Sequence, residues 1–225
     1  MLDNDNESAA DRAYRLLSRA IMTGGLPTDH KVTETGLAEF LGMSRTPLRE
    51  AVNRLLLEGV LERRAGQGLW CVLPTREEMS EIFDLRARLE SYAAGRAALR
   101  ASDAQKEALN ASVRRMAALV DAVREVPDDT VIARIDDENA VFHRLIIEAA
   151  QARRLEFLLR STVNVGLVSL TFQRYSAAQR QRSVNHHEEI AEAIAAGRSD
   201  WAASAMETHV LSAVSSLIVP SGKAP

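Results

Sequence analysis

The stretch "GMSRTPLREAVNRLLLEGVL", residues 42–61, decides the fold of the first third of the chain. Ser44 stands where an N-cap belongs, Pro47 falls in a first turn that tolerates its missing N–H, and Gly59 closes the run, so the spacing predicts a helix to about Glu58. Leu48, Val52, Leu55 and Leu56 fall on one side, while Arg45, Arg49 and Asn53, at i, i+4 and i+8, line another. One side packs and the other reaches outward.

Upstream, Ala13, Leu16, Leu17, Ala20 and Ile21 recur at three- and four-residue spacing, which predicts a helix over 9–22 ended by Gly24, Gly25 and Pro27. In "VTETGLAEFLG" Thr33 is the expected N-cap of a short helix carrying Leu37, Phe40 and Leu41, with Gly42 as its stop. Downstream, "VLERRAGQGLWCVL" reads as two short β-prone runs around a glycine-bearing turn, a β-hairpin, and Pro74 closes the unit. Beyond it the pattern changes to long helical periods, expected at about 77–101, 103–125, 130–150, 152–175, 178–196 and 199–218, with Pro127, Gly197 and Ser199 as punctuation and "PSGKAP" as a frayed tail. The expected architecture is mainly α. A winged helix-turn-helix of three helices and a β-hairpin occupies 1–74, and an all-α helical bundle occupies 75–225.

Bulk properties agree with this. The 225 residues are 46% hydrophobic, 26% charged and only 4% aromatic, as in a globular helical protein. A formal charge of -3 gives no whole-molecule attraction to nucleic acid, so DNA binding requires a local patch. The single cysteine, Cys71, excludes an intrachain disulfide and suits a small core position in a reducing compartment. With an acidic N-terminus and no apolar run near the ~18 residues of a membrane span, the chain is expected in the cytoplasm.

A short helix, a tight turn, and a second helix presenting arginines from its N-terminal half form a helix-turn-helix, and the hairpin makes it winged. Guanidinium groups at Arg45 and Arg49 can fork onto guanine O6 and N7 or onto phosphate, while Ser44 and Thr46 offer hydroxyls to phosphate. Gly66, Gln67 and Gly68 make a tip narrow enough for a minor groove, or a simple turn. The alternative for the arginines is a solvated face paired with Glu50 or Glu58. Four successive elements of one DNA-binding unit favour DNA.

Asn139 and His143 are four apart in "NAVFHRLI" and share a helix face, a spacing suited to two ligands on one metal. His187 opens a helix ended by Gly197, and His209 lies on the following antiparallel helix, so the two rings can stand at similar heights. These four side chains could converge on a divalent ion, Zn²⁺, Ni²⁺ or Mn²⁺, or the histidines could be satisfied core residues. His30 and His186 read as surface residues.

Residues 10–74, through "LAEFLGMSRTPLREAVNRLLLEGVLERRAGQG", resemble the winged helix of the GntR family of bacterial transcription regulators. The resemblance implies that Arg45, Thr46 and Arg49 touch double-stranded operator DNA, with the Gly66–Gly68 tip adding a contact. Residues 77–215, through "EIFDLRARLESYAAGRAA", "NAVFHRLIIEAA" and "HEEIAEAIAAGRSDWAASAMETHV", resemble the helical FCD ligand-binding domain of the FadR subfamily. That resemblance implies a metal held by Asn139, His143, His187 and His209, and a small carboxylate effector beside it with Arg86 in the pocket. Spacing alone suits an i, i+4 pair of Arg86 with Glu90 on a solvated face. The chain departs from the family at Gln67, where arginine is frequent, at Asn139, where Asp is frequent, and at "AQARRL", which replaces a Ser-Gly-Asn step.

The function expected is a ligand-responsive repressor that binds a palindromic operator as a homodimer and is not an enzyme. A metal-dependent hydrolase would need a general acid or base near the histidines. Glu138 and Glu188 flank ligand positions but read equally as solvated. A bundle that serves only dimerisation is the third reading.

Overall fold

A computed structural model of the chain describes residues 8–66, 68–123, 129–162 and 165–218. Gln67, Pro127 and the "PSGKAP" segment lie outside these residues. The chain forms two compact units, one of Met1–Thr75 with Asn164–Leu170, the other of Arg76–Val163 with Thr171–Pro225.

In the first unit α1 (Ala9–Met22), α2 (Glu34–Leu41) and α3 (Arg45–Leu57) pack around a common core. Each start has a local cause. The Ser8 side chain accepts from the Asp11 N–H and Thr33 from the Gly36 N–H, which satisfies donors that helix geometry leaves unpaired. Gly42 ends α2 in the left-handed region at φ 63°, where a Cβ would be strained, and this sharp exit turns the chain into α3. Tyr14, Leu17 and Ile21 of α1 meet Leu48, Val52 and Leu55 of α3 in the core, with Cys71 buried among them. Leu37 is buried as the periodicity requires, but Phe40 is 53% exposed.

The hairpin is β2 (Leu61–Arg64) against β3 (Gly68–Cys71), with Arg64 opposite Gly68. The structure amends the expected two-stranded wing. A strand β1 (Lys31–Val32) pairs with the other edge of β3, giving an antiparallel sheet of order β1-β3-β2. A two-residue strand is too short to show alternation, so its pairing comes from the sheet edge and not from its own pattern.

The second unit contains α4 (Arg76–Arg100), α5 (Asp103–Ala122), α6 (Asp129–Ala149), α7 (Arg153–Thr162), α9 (Ala177–Ala195) and α10 (Ser199–Ile218), and the division between the units falls within α8 (Val165–Arg174), after Leu170. The helix expected over 152–175 is described as α7 and α8 on either side of residues 163–164. Capping boxes start α5 at Ser102 and Gln105 and α9 at Ser176 and Gln179. The bundle closes mainly where α4 meets α10. Small residues permit the approach: a Cβ added at Gly95 would stand 3.1 Å from Ser199 Oγ and 3.3 Å from its carbonyl oxygen. Ala93, Ala94 and Ala97 of α4 and Ala202 and Ala205 of α10 are buried.

On several helices the buried stripe carries polar residues among the apolar ones. On α4 it runs Phe83, Arg86, Ala87, Glu90, Ala94; on α6 Ile135, Asn139, Phe142, His143, Ile146; on α9 Arg180, Val184, His187, Ile190, Ile194. Each polar residue stands where a bundle would place Leu or Ile, so each needs a partner inside.

Candidate functional site

The face of α3 opposite its buried stripe presents Arg45, Thr46, Arg49 and Asn53, all exposed. Ser44 occupies the N-cap, as its place in the sequence requires, yet its side chain makes no capping hydrogen bond. The first-turn N–H groups of α3 and the Ser44 hydroxyl therefore lie beside the arginines, an arrangement that favours an anion. Glu34 at the start of α2 is 3.4 Å from Arg49 Nε and 3.6 Å from an Arg63 nitrogen. These contacts are long and their arginines are exposed, so phosphate can replace them at little cost.

The wing adds cations that sequence reasoning left unassigned. Arg63 and Arg64 of β2 are exposed, and Arg64 stands over the Trp70 ring with its guanidinium carbon 4.4 Å from the centroid while its Nε meets Glu62 at 3.0 Å. The signal available was the pair "RR" directly before the turn. Gly66 and Gly68 take φ of 71° and 87°, the left-handed values a tight tip requires. Gln67 lies outside the described residues. Exposed arginines on α3 and β2 supply a local patch that a net charge of -3 conceals.

Inside the second unit, His143 of α6, His187 of α9 and His209 of α10 come together, buried, with ligand atoms within 4.8 Å of one another. Nε2 of His209 is 3.2 Å from Nε2 of His143 and 3.2 Å from Nε2 of His187. The far side of two rings decides their tautomers. His143 Nδ1 donates to Glu90, whose carboxylate can only accept, and His187 Nδ1 meets the Met116 sulfur at 3.0 Å. Both therefore turn a bare Nε2 lone pair toward His209, which has at most one Nε2 proton to share between them. His209 Nδ1 has no hydrogen-bond partner. Hydrogen bonds among the rings alone cannot satisfy the three inward nitrogens.

A cation could satisfy them. Nitrogens on metal–N bonds of about 2.0–2.1 Å in a tetrahedral shell stand about 3.3 Å apart, close to the separations found here. Asn139, one turn before His143 on α6, is buried and its Oδ1 has no hydrogen-bond partner, as expected of a group reserved for a ligand. Burial, then the neighbouring imidazoles, hold the His187 and His209 pKa values well below the ordinary histidine range, so both rings stay neutral.

Arg86 is not on a solvated face. It is 5% exposed, and its Nε donates to Glu90 Oε1 at 2.5 Å. The i, i+4 pair exists, but in the bundle interior, and Glu90 links it to His143. Burial alone would raise the Glu90 carboxyl, yet the Arg86 guanidinium and the hydrogen bonds from His143 and Arg86 outweigh it and hold the pKa at about 2. Glu90 is thus a functional residue that sequence reasoning treated only as a neighbour of Arg86. Its place in the buried stripe of α4 was the available signal.

Two of the remaining expectations resolve differently. His30 is exposed and paired with Asp29, whereas His186 is half-buried, edge-on to His209 with centroids 5.9 Å apart, and is not simply a surface residue. It directly precedes the buried His187 on α9, and that helix carries it partly inward. Glu138 is not a solvated residue either: it receives two hydrogen bonds from Arg115, at 2.9 and 2.8 Å, and one from Ser112 at 2.6 Å.

Comparison with known proteins fits both units. Residues 9–70 match the bacterial regulatory proteins of the gntR family, and residues 81–212 match the FCD domain. The chain is a GntR-family regulator with an FCD domain. This GntR regulator is 28% identical over 146 residues to the HTH-type transcriptional regulator YdhC of Bacillus subtilis, 65% of this chain and 62% of that protein. It is 29% identical over 186 residues to the Nta operon transcriptional regulator of Aminobacter aminovorans, 80% of each chain. Among solved structures, E. coli McbR/YncC shares the fold with a TM-score of 0.68 at 21% identity, over 91% of this chain and 94% of that one. No described helix of the GntR regulator is long and apolar enough to cross a membrane.

Proposed function

We propose that this GntR regulator is a repressor that binds a palindromic operator in the cytoplasm as a homodimer and answers to a small organic acid bound beside a metal in its FCD bundle. The observation that carries the reading is the face of α3, on which Arg45, Thr46, Arg49 and Asn53 are exposed while Leu48, Val52 and Leu55 are buried. One such face reads only a few base pairs, and two copies on a two-fold axis double the contacts. Ser44 and Thr46 hold phosphate, Arg45 and Arg49 read base edges, Asn53 extends the face, and the Gly66, Gln67 and Gly68 tip reaches the adjoining groove.

In the bundle Asn139, His143, His187 and His209 would hold a divalent ion. The donor set of three imidazoles and one amide oxygen suits Zn²⁺, Ni²⁺ or Mn²⁺. When bound, the ion supplies a Lewis-acidic pole for the oxygens of an acid. Glu90 orients the His143 ring, and Arg86 presents to the effector the guanidinium edge that Glu90 leaves uncovered. An acid that binds one arrangement of the two winged helices more tightly than the other shifts operator affinity by that difference.

Catalysis finds less support. Glu90 is committed to Arg86 and His143, and Glu138 to Arg115 and Ser112, so neither is a ready base. Selection from a randomised duplex pool with the full chain tests the regulator. The expected outcome is one enriched site with two-fold symmetry, footprinted by two chains. Absence of enrichment over competitor DNA contradicts the reading.

A further inference from the structure

The acid at the start of α2 meets cations from two other elements of the winged helix. Glu34 is the first residue of α2, directly after its Thr33 cap, and its carboxylate faces Arg49 of α3 through Oε2 and Arg63 of β2 through Oε1. Arg49 stands one turn into α3, on the exposed face it shares with Arg45 and Asn53. Arg63 lies opposite Leu69 in the hairpin, and Leu61 and Leu69 are both buried, so the alternation of β2 turns Arg63 to the side of the sheet that covers the helices. One carboxylate thus joins the reading helix to the wing.

The atoms that meet decide what is left for DNA. Arg49 approaches Glu34 with Nε, at 3.4 Å, so the contact uses the side of the guanidinium and leaves the edge made by Nη1 and Nη2 for another partner. That edge is the one that forks onto guanine O6 and N7. A guanine edge is uncharged, and Arg49 can take it with the Nε contact in place. A phosphate is different. When Arg49 or Arg63 leaves Glu34 for the DNA backbone, the contact given up is weak, but the carboxylate stays behind unneutralised beside the phosphates. The Glu34 side chain is 24% exposed against 60% for Arg49, and its backbone is held in the first turn of α2, so the arginine moves and the acid does not.

We propose that Glu34 is a specificity-determining positioning residue. It holds Arg49 with the forked edge free for a base, ties Arg63 of the wing to the same point, and disfavours duplexes that offer only phosphate. The inference rests on the reading of the α3 face as the operator-reading surface and deepens it. Its consequence is opposite to that of losing a cation. Removing an arginine from this face weakens binding to DNA, whereas removing Glu34 tightens binding to duplexes without the operator and so narrows the gap between them. An acid in the first turn of α2 also suits the positive end of that helix. That role alone would affect stability and leave DNA selectivity untouched.

The test titrates the full chain against the selected operator and a scrambled duplex over a range of salt, with unfolding temperature measured in parallel. Wild type is compared with Glu34→Gln, Arg49→Ala and the double variant. Glu34→Gln should bind the scrambled duplex about three- to tenfold more tightly, with a salt dependence steeper by about one phosphate contact, while operator affinity rises less or falls. In the Arg49→Ala background the same change should shift both duplexes alike and leave the preference as it was. Glu34→Asp keeps the charge at the start of α2 and shortens its reach. It replaces the Gln variant if that one does not fold, and should bind operator more weakly at unchanged affinity for scrambled duplex. The inference is overturned if the Glu34 variant prefers the operator as strongly as the wild type does, if it loses affinity for both duplexes equally, or if its effect on preference persists in full without Arg49. A wild type with no preference for any duplex contradicts the operator reading itself, and this inference with it. A wild-type preference that the Glu34 variant shares contradicts the role of Glu34 alone.

Discussion

Replacing Glu90 by Gln removes the one charge that both Arg86 and His143 engage inside the bundle, and the structure sets the size of the effect. The carboxyl is 2% exposed, with a pKa lowered from 4.5 to about 2. At about 1.4 kcal/mol per pKa unit, this corresponds to roughly 3 kcal/mol of stability at neutral pH. Losing one member of a buried ion pair costs a similar 3–5 kcal/mol or so, because the remaining charge is left uncompensated. Gln keeps the shape but not the charge. Because the folded pKa is depressed, the contribution is complete above pH 4.5 and is lost as pH falls toward about 2. Urea unfolding of metal-free wild type and Glu90→Gln should show a midpoint lower by about 1 M in the variant at pH 7. That gap should hold down to about pH 5 and close below pH 4.5. A gap under about 0.5 kcal/mol at pH 7, or one that stays constant down to pH 2.5, would refute the reasoning.

Further outcomes follow from the same cluster. The double variant His143→Ala, His187→Ala should retain no metal by elemental analysis after purification, and a stoichiometric ion in that variant would contradict the ligand set. Burial keeps His187 and His209 neutral in the metal-free fold, so below about pH 6.5 the unfolded chain takes up protons that the folded chain refuses. Metal-free stability should therefore fall from about pH 6.5 downward. A flat profile between pH 7 and pH 5 would count against that burial.

The DNA-binding half was legible because its signals are local. Ser44, Pro47 and Gly59 mark both ends of α3, and the 3.6-residue period separates Leu48 and Val52 from Arg45 and Arg49 without reference to the rest of the chain. What escaped depended on tertiary partners. β1 is two residues long, and only the edge of β3 makes it a strand. The pairing of Arg86 with Glu90 was readable, but not its burial, because i, i+4 spacing is the same on a solvated face and in a core. Registering both against Phe83, Ala87 and Ala94 places them inside. The histidine positions were legible as helix spacings, whereas the roles of Glu90 and Met116 in setting ring tautomers arise from helices distant in sequence. Glu34 gave no signal beyond its place after the Thr33 cap, and only the folding of β2 and α3 beside α2 brings Arg63 and Arg49 to it.

Operator discrimination by the α3 arginines is the most direct test. The full chain and Arg49→Ala should be titrated at fixed salt against the selected operator and a scrambled duplex, with unfolding temperature and oligomeric state compared in parallel. Loss of one base-reading guanidinium should reduce the preference for operator over scrambled duplex by about 1–3 kcal/mol, roughly fivefold to 150-fold, in a protein that is otherwise unchanged. The same preference in wild type and variant would mean that α3 does not read the operator.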